Sequence, residues 1–336
     1  MQEDFHYYCI GVLARSAGFT ADEALTIAYA SQYVDDSTES EPVRDEDRIF
    51  EPVRSAHLGA LAYNWSIQKR VYMPFHFIPP KPMLSQGGSF VTEPNSEFAQ
   101  TILQDACDET GDALLRLCRI GVALHTYADT WAHQGFSGRH NEENDVERIR
   151  LSGNGKQKNP WFENIYLDIL PQIGHVEAGH YPDQPFLNWE YKGPDGRKVS
   201  RNNPADFLTA AKTIHARLSA CCGKTKADTS KTWGQIEPKV RELLSIREQN
   251  PDIRCERWNQ EFQKLFGTLS LEYDKLTWRR EALQPKKDAH IEWDDIKPSK
   301  LESMEFKFKP GFYKSKWVNF HRAALHQRHL VLEQLM

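Results

Sequence analysis

No run of apolar residues in this chain approaches the roughly 18 needed to cross a bilayer. The start, MQEDFHYYCIGVLARSAGF, carries acidic residues where an export signal carries basic ones, and Arg15 interrupts its apolar stretch. The expectation is a soluble, cytoplasmic protein without stable membrane insertion. Cysteine is sparse, six in 336 residues, and no Cys-x2-Cys pair occurs. That excludes a cysteine zinc site and reads Cys9, Cys107, Cys118, Cys221, Cys222 and Cys255 as reduced thiols. A basic excess is also missing: 42 Lys and Arg stand against 47 Asp and Glu, a net charge of −5. Nucleic acid is therefore a possible but disfavoured partner, since bound metal can still supply positive charge locally. There is no HExxH, P-loop, GxGxxG or GxSxG segment, and no adjacent His-Asp pair.

What is present reads as one helical domain over residues 1–336. A metal-site part covers 1–185, and a C-terminal helical part, 200–336, packs on it. Asp4 is placed to cap a helix over Phe5 to Ser16 that stops at Gly18. Thr20 with Glu23 forms a capping box for a second helix, Ala21 to about Val34. A third is expected over Val53 to Gln68, ahead of a Pro-rich loop. Ser96 to Cys107 reads as helix. The most periodic segment begins at Asp108 or Thr110 and runs through HTYADTWAH to about Gln134. So long and apolar a helix is expected to be central and buried. FLNWEYKGPDGRKV predicts a small hairpin turning at Pro194-Asp195-Gly196. Asn203-Pro204 opens a helix to Cys222, and further helices are expected at 231–248, 255–266, 268–285 and 315–335. The fold class is all-α, with loop-rich insertions and at most one small hairpin.

His125, Asp129 and His133 stand at i, i+4 and i+8 in HTYADTWAH. Each step of four drifts by only about 40° around a helix, so all three point to one face. Imidazole and carboxylate are the usual zinc ligands where thiolates are absent. The alternative is a set of polar core groups bonded to one another, but Asp129 buried without compensation would be costly. Four further clusters extend the pattern. They are His6 with Asp4, Asp35-Asp36 at the end of the second helix, His76 in PFHFIPP with His57 as its alternative, and HVEAGHYPD with His175, Glu177, His180 and Asp183. Eight of the 13 histidines fall in residues 1–180. His321, His326 and His329, in the basic C-terminal helix, read as solvated. Trp131, Phe75, Phe77 and Tyr127 read first as core and second as pocket lining.

In that order, His6, Asp35 or Asp36, His76, His125 and Asp129 resemble the ligand set of the zinc-dependent phospholipase C and single-strand-specific nuclease superfamily. ASQYVD is similar to the nuclease Ala-Ser-Trp-Ala-Asp with one residue inserted. The chain as a whole resembles an uncharacterised bacterial family that opens with a similar DFHYY segment. The superfamily resemblance implies an all-α enzyme with three clustered zinc ions and a bridging role for Asp129. Two features depart from it. The superfamily's next histidine comes six residues after the helix Asp, whereas His133 comes at four. The following ligand pair is not clean, and His140 with Glu143, or His175 with His180 and Asp183, would have to supply it. The superfamily also uses its N-terminal amine, for which Asp4 is a substitute.

The function expected is a metal-dependent hydrolase of phosphate esters with two or three zinc or other divalent ions. Its ligands would be His6, Asp35, His76, His125, Asp129, His133, His175 and Asp183. Asp129 would bridge, and Asp35 or Asp36 would take the proton of the attacking water. The substrate would be a small phosphate ester, a lipid headgroup or a nucleotide. The alternatives are a metal-binding structural protein without turnover, and an interaction module built on WVNFHRAALHQRHL.

Overall fold

The computed structural model describes residues 1–39, 41–56, 60–82, 88–152, 173–222, 230–267, 271–286 and 305–335. The chain enters the core within four residues. A π-helical segment, Asp4–Cys9, runs straight into α1, Ile10–Ala17, and every residue from Asp4 to Ala14 is buried. Asp4 is inside the helix and not its cap; it pairs with the buried Arg254 at 2.6 Å. Gly18 closes the helix at φ 113°, a conformation that costs glycine little. The Thr20–Glu23 capping box starts α2, Ala21–Asp36, as its sequence predicts.

The expected helix over 53–68 forms later. Residues 53–56 are tied instead by tertiary hydrogen bonds: Ser55 and Ala56 N–H donate to the Ser37 carbonyl, and Val53 N–H donates to His321 Nδ1. The helix begins at Trp65–Ile67, capped by Asn64. It widens to a π turn at Gln68–Tyr72 and ends at Met73–Phe75. Pro74 has no N–H to give and falls where the widened turn ends. Two residues further on is His76.

Then come α3, Glu97–Cys107, and α4, Ala113–Ala132, which Asp112 caps. All residues of α4 from Leu117 to Ala132 are buried. It packs against α2, α3, α5 (Asn203–Cys222) and α9 (Lys316–Leu335). Gly121 makes the α2 crossing possible: a Cβ there would lie 2.5 Å from both Ala30 Cβ and the Ile27 carbonyl oxygen. The remaining helices are α6, Trp233–Ser245, α7, Pro251–Phe266, and α8, Thr277–Ala282. The last is far shorter than the expected 268–285, because the chain turns into a strand at Leu283; residues 268–270 of that expectation lie outside the described ones.

The protein is mostly helical, and the all-α expectation is corrected by three small antiparallel sheets. One pairs β1, Val43–Asp45, with β2, Arg48–Phe50. Another adds β3, Glu147–Leu151, to the predicted hairpin of β4, Asn188–Lys192, and β5, Lys198–Asn202. The third pairs β6, Leu283–Pro285, with β7, Phe306–Phe308. Strands of three residues leave little local signal, whether β1 and β2 in a tight hairpin or β6 and β7 paired across a longer stretch.

Other readings also change. Cys107 and Cys221 form a disulfide across 114 residues, joining the ends of α3 and α5, while Cys9, Cys118, Cys222 and Cys255 are free. Spacing in the chain carries no trace of that pairing, because the meeting of the two helix ends is tertiary. His321 is buried among Trp317, Phe320 and Tyr33 and not solvated; His326 and His329 are exposed as read. The C-terminal helix buries Trp317, Val318, Phe320, Ala323, Ala324 and Val331, so its apolar face is core. No helix among the described residues is long and apolar enough to cross a membrane.

Candidate metal centre

Eight side chains named from the sequence converge on one region beside α4. Three groups of donor atoms lie close enough to share an ion: His6, His125 and Asp129; Asp35, His76 and His125; and His133, His175 and Asp183. His125 and Asp129 lie on the buried face of α4, and His133 follows as its C-cap residue. The π-helical segments deliver His6 directly and His76 at the end of the 65–75 helix. π turns occur frequently at functional sites, because the extra residue re-aims a side chain. Thr126 Oγ1 donates to the Phe75 carbonyl at 2.8 Å, and Gln327 Nε2 donates to the Pro74 carbonyl at 2.7 Å. Helices α4 and α9 thus pin the backbone that carries His76.

Four of the rings have their tautomers set by backbone carbonyls, which can only accept. His125 Nδ1 donates to Ser31 O at 2.9 Å, and His76 Nε2 donates to Ser55 O at 2.9 Å. His133 Nδ1 donates to His76 O at 2.8 Å, and His175 Nδ1 donates to Gly179 O at 3.0 Å. Each ring is left with one lone-pair nitrogen turned toward the carboxylates. This is the outer-shell arrangement that orients metal-ligating histidine. His6 differs: Nε2 faces Asp129 Oδ1 at 3.1 Å, and its buried Nδ1 has no partner.

Around Asp35 Oδ1, His76 Nδ1, His125 Nε2 and Asp129 Oδ2, five separations are 3.7, 3.4, 3.5, 3.3 and 3.1 Å. Four ligands about 2.0–2.1 Å from a zinc ion in tetrahedral array stand about 3.3 Å from one another. Asp35 Oδ1, His76 Nδ1 and His125 Nε2 have spacings of that order, and Asp129 Oδ2 stands within 3.4 Å of the same two ring nitrogens. On the far side of Asp129, Oδ1 faces His6 and the Met1 α-amino nitrogen, the latter at 2.6 Å. The amine also lies 3.1 Å from Asp183 Oδ1. Asp183 faces His133 Nε2 at 3.2 Å and His175 Nε2 at 3.3 Å.

Burial works against both Asp129 and Asp183, yet neighbouring imidazoles and the amine hold both well below the usual carboxylate range. Burial, followed by the nearby His125, lowers His6 to about 3; burial, partly offset by Asp183, lowers His175 to about 4. Both rings are neutral at neutral pH, the form that ligates metal. Burial also opposes charge on the Met1 amine, but Asp129, Asp183 and Asp35 outweigh it and hold the pKa up to about 11. Burial lowers the His76 pKa, but Asp129 and Asp35 outweigh it and raise it, so Asp129 and Asp183 face the ammonium and an imidazole whose charged form the carboxylates favour.

Several candidates stand elsewhere. Asp36 turns away from the cluster and accepts from Gln32 Nε2 and Tyr273 OH, and burial raises its pKa. Only Asp35 of that pair joins the site. Asp4 is committed to Arg254 and stands outside the cluster, whereas the Met1 amine lies against Asp129. Glu143 accepts from Ser137, Glu177 accepts from Val146 N–H, and His180 is exposed. His140 packs on Tyr63. His57 lies outside the described residues. Phe75, Phe77, Tyr127 and Trp131 are buried, and Phe77 stacks on His133 with centroids 4.5 Å apart. Sequence reasoning did not find the orienting carbonyls of Ser31, Ser55 and Gly179, since any residue type supplies a carbonyl.

Over residues 1–335 the chain matches the model of DUF6765, a family of unknown function, and it belongs to that family. No curated protein and no solved structure matches it.

Proposed function

We propose that the protein is a metal-dependent hydrolase of phosphate esters with two or three zinc ions at this centre. The observation that carries the metal is the set of four carbonyl-locked histidines whose free nitrogens close on Asp35, Asp129 and Asp183. The observation that favours turnover is exposure along one edge. His6, His125 and Asp129 are sealed, but the side chains of Asp35, His175, Asp183 and His76 are 35%, 17%, 13% and 12% exposed. A ligand set closed on one side and open on the other leaves coordination positions for water and substrate.

Bound zinc would supply Lewis acidity toward a phosphoryl oxygen and bring the pKa of water toward neutrality. Asp129 divides its two oxygens between the donor groups on either side and would bridge them. Asp35, on the open edge, is placed to accept a proton from the attacking water. The Met1 amine would serve as a further donor after losing its proton, and ligation of this kind releases protons.

Elemental analysis of the purified protein counts the metals. Phosphomonoester and phosphodiester substrates, with and without chelator, then test turnover. Chelator-sensitive hydrolysis supports the reading. Full metal loading without hydrolysis of any member would leave a metal-binding protein without turnover, which the sealed His6–His125–Asp129 group also suits.

A further inference from the structure

The Cys107–Cys221 disulfide sits under an arginine and against a cavity. Arg116, in the first turn of α4, donates from Nε to the Cys107 carbonyl at 2.9 Å and from Nη2 to the Cys221 carbonyl at 2.7 Å. One guanidinium thus ties the C-terminal ends of α3 and α5 to the start of the helix that carries the metal donors. The same Nη2 also donates to Cys221 Sγ at 3.3 Å. That contact makes the two sulfurs unequal. A neighbouring arginine stabilises a thiolate, and a disulfide opens faster toward the sulfur that is the more stable as thiolate. Cys221 is therefore the sulfur that leaves, and Cys107 the one open to attack.

A cavity of about 170 Å³ lies against both cysteines. At roughly 10–15 Å³ per water, it has room for a ligand of several non-hydrogen atoms. Its rim faces solvent: Gln104, Asp108 and Ala220 are exposed, and the two cysteines are half-buried. Arg217 meets a neutral acceptor there, Gln100 Oε1. Asp108, the one carboxylate among the lining residues, accepts from Gln104 Nε2 at 2.8 Å. With Arg116 on the Cys221 sulfur, two guanidinium groups stand against one carboxylate, which favours an anionic entrant. A bridge that only staples two helices needs neither the cavity nor the charge.

We propose that Cys107 is a modification site for low-molecular-weight thiols that carry a carboxylate. The entering thiolate attacks Cys107 Sγ, the Cys107–Cys221 bond breaks, and its electron pair leaves on Cys221 Sγ beside Arg116. The products are a mixed disulfide on Cys107 and a thiolate on Cys221. A second small thiolate, attacking the bound thiol's sulfur, releases a small disulfide and leaves Cys107 as a thiolate. Arg217 holds the carboxylate of the entering thiol.

The test exposes the folded protein to 3-mercaptopropionate, traps free thiols with N-ethylmaleimide at intervals, and reads adducts by intact mass and peptide mapping. One adduct per chain is expected, on Cys107, with Cys221 alkylated. It should form at least as fast as on the denatured chain, where neither arginine is in place. An adduct on Cys221, or slower exchange in the folded protein, overturns the site. Each thiol's rate is then taken relative to its rate on the denatured chain. On that scale 3-mercaptopropionate should outpace cysteamine, which carries an ammonium, about tenfold, and Arg217→Gln should abolish the difference. Equal relative rates in wild type, or a preference unchanged in Arg217→Gln, overturn the carboxylate assignment. Arg116→Met should slow exchange about tenfold, and Arg116→Lys should recover most of the loss. Exchange as fast in Arg116→Met as in wild type overturns the leaving role of Cys221; should that variant not fold, the two-thiol comparison in Arg217→Gln, a half-buried position, still decides. Cys222→Ser should exchange as wild type does, and loss of the adduct in it would move the reaction to Cys222 and overturn the proposal.

Discussion

His125 Nε2 lies 3.1 Å from His76 Nδ1, and each ring has given its other nitrogen to a backbone carbonyl. With both tautomers set, two lone pairs face each other. That contact is repulsive unless a metal ion lies against both nitrogens or His76, whose pKa Asp129 and Asp35 raise against burial, carries a second proton.

Replacing His125 by Ala, or Asp129 by Asn, should therefore remove at least one metal per chain. Metal binding free energy is also folding free energy. Loss of one member of a buried charged set costs about 3–5 kcal/mol. Elemental analysis and calorimetry of the two variants check this. Metal content equal to wild type in both would end the assignment.

Gly121 gives a second, remote test. It precedes His125 by one helical turn, and an added Cβ would meet Ala30, Ile27 and the Ser31 nitrogen, the last at 3.1 Å. Gly121→Ala should push α2 away from α4 and shift the Ser31 carbonyl that orients His125. Overpacking of this kind costs about 1–3 kcal/mol. The expected result is a lower melting temperature together with weaker metal retention against a chelator. A variant that loses stability but retains metal as tightly as wild type would separate the crossing from the site.

His321 governs part of the acid response. Burial, with Arg279 nearby, lowers its pKa to about 3, and the ring accepts from Val53 N–H. An unfolded imidazole titrates near 6.5, so between the two values the unfolded chain binds the extra proton. Stability contributed by the neutral ring is complete above about 6.5 and falls by about 1.4 kcal/mol per pH unit below it. Denaturant melts of wild type and His321→Gln between pH 4 and 7 isolate this slope from the metal-site histidines. Parallel pH profiles for the two proteins would contradict it.

The disulfide makes a count. Of six cysteines, four should react in denaturant without reductant, and six after reduction. Closing a loop of this length stabilises by roughly 4–5 kcal/mol in the chain-entropy picture. Reductant should therefore lower the melting temperature of wild type and have little effect on Cys107→Ser. Six reactive thiols before reduction would rule the bridge out.

Helix starts such as the Thr20 box and the start at Ser96 were legible because a cap is a contact between residues two or three apart, whereas the Asn250 cap was passed over and its helix expected only from 255. The same holds for the α4 pattern, where spacing of four places His125 and Asp129 on one face. The chain alone thus determined a largely helical body with metal-competent side chains on a buried helix, since periodicity and capping are local physics. Only the tertiary structure decided which of Asp35 and Asp36 turns inward, that Asp4 pairs with Arg254 while the Met1 amine meets Asp129, and that Cys107 meets Cys221. It also decided which carbonyls lock the rings. Those outcomes depend on the approach of segments tens to hundreds of residues apart, and such an approach is set by core packing, which no short window of sequence contains.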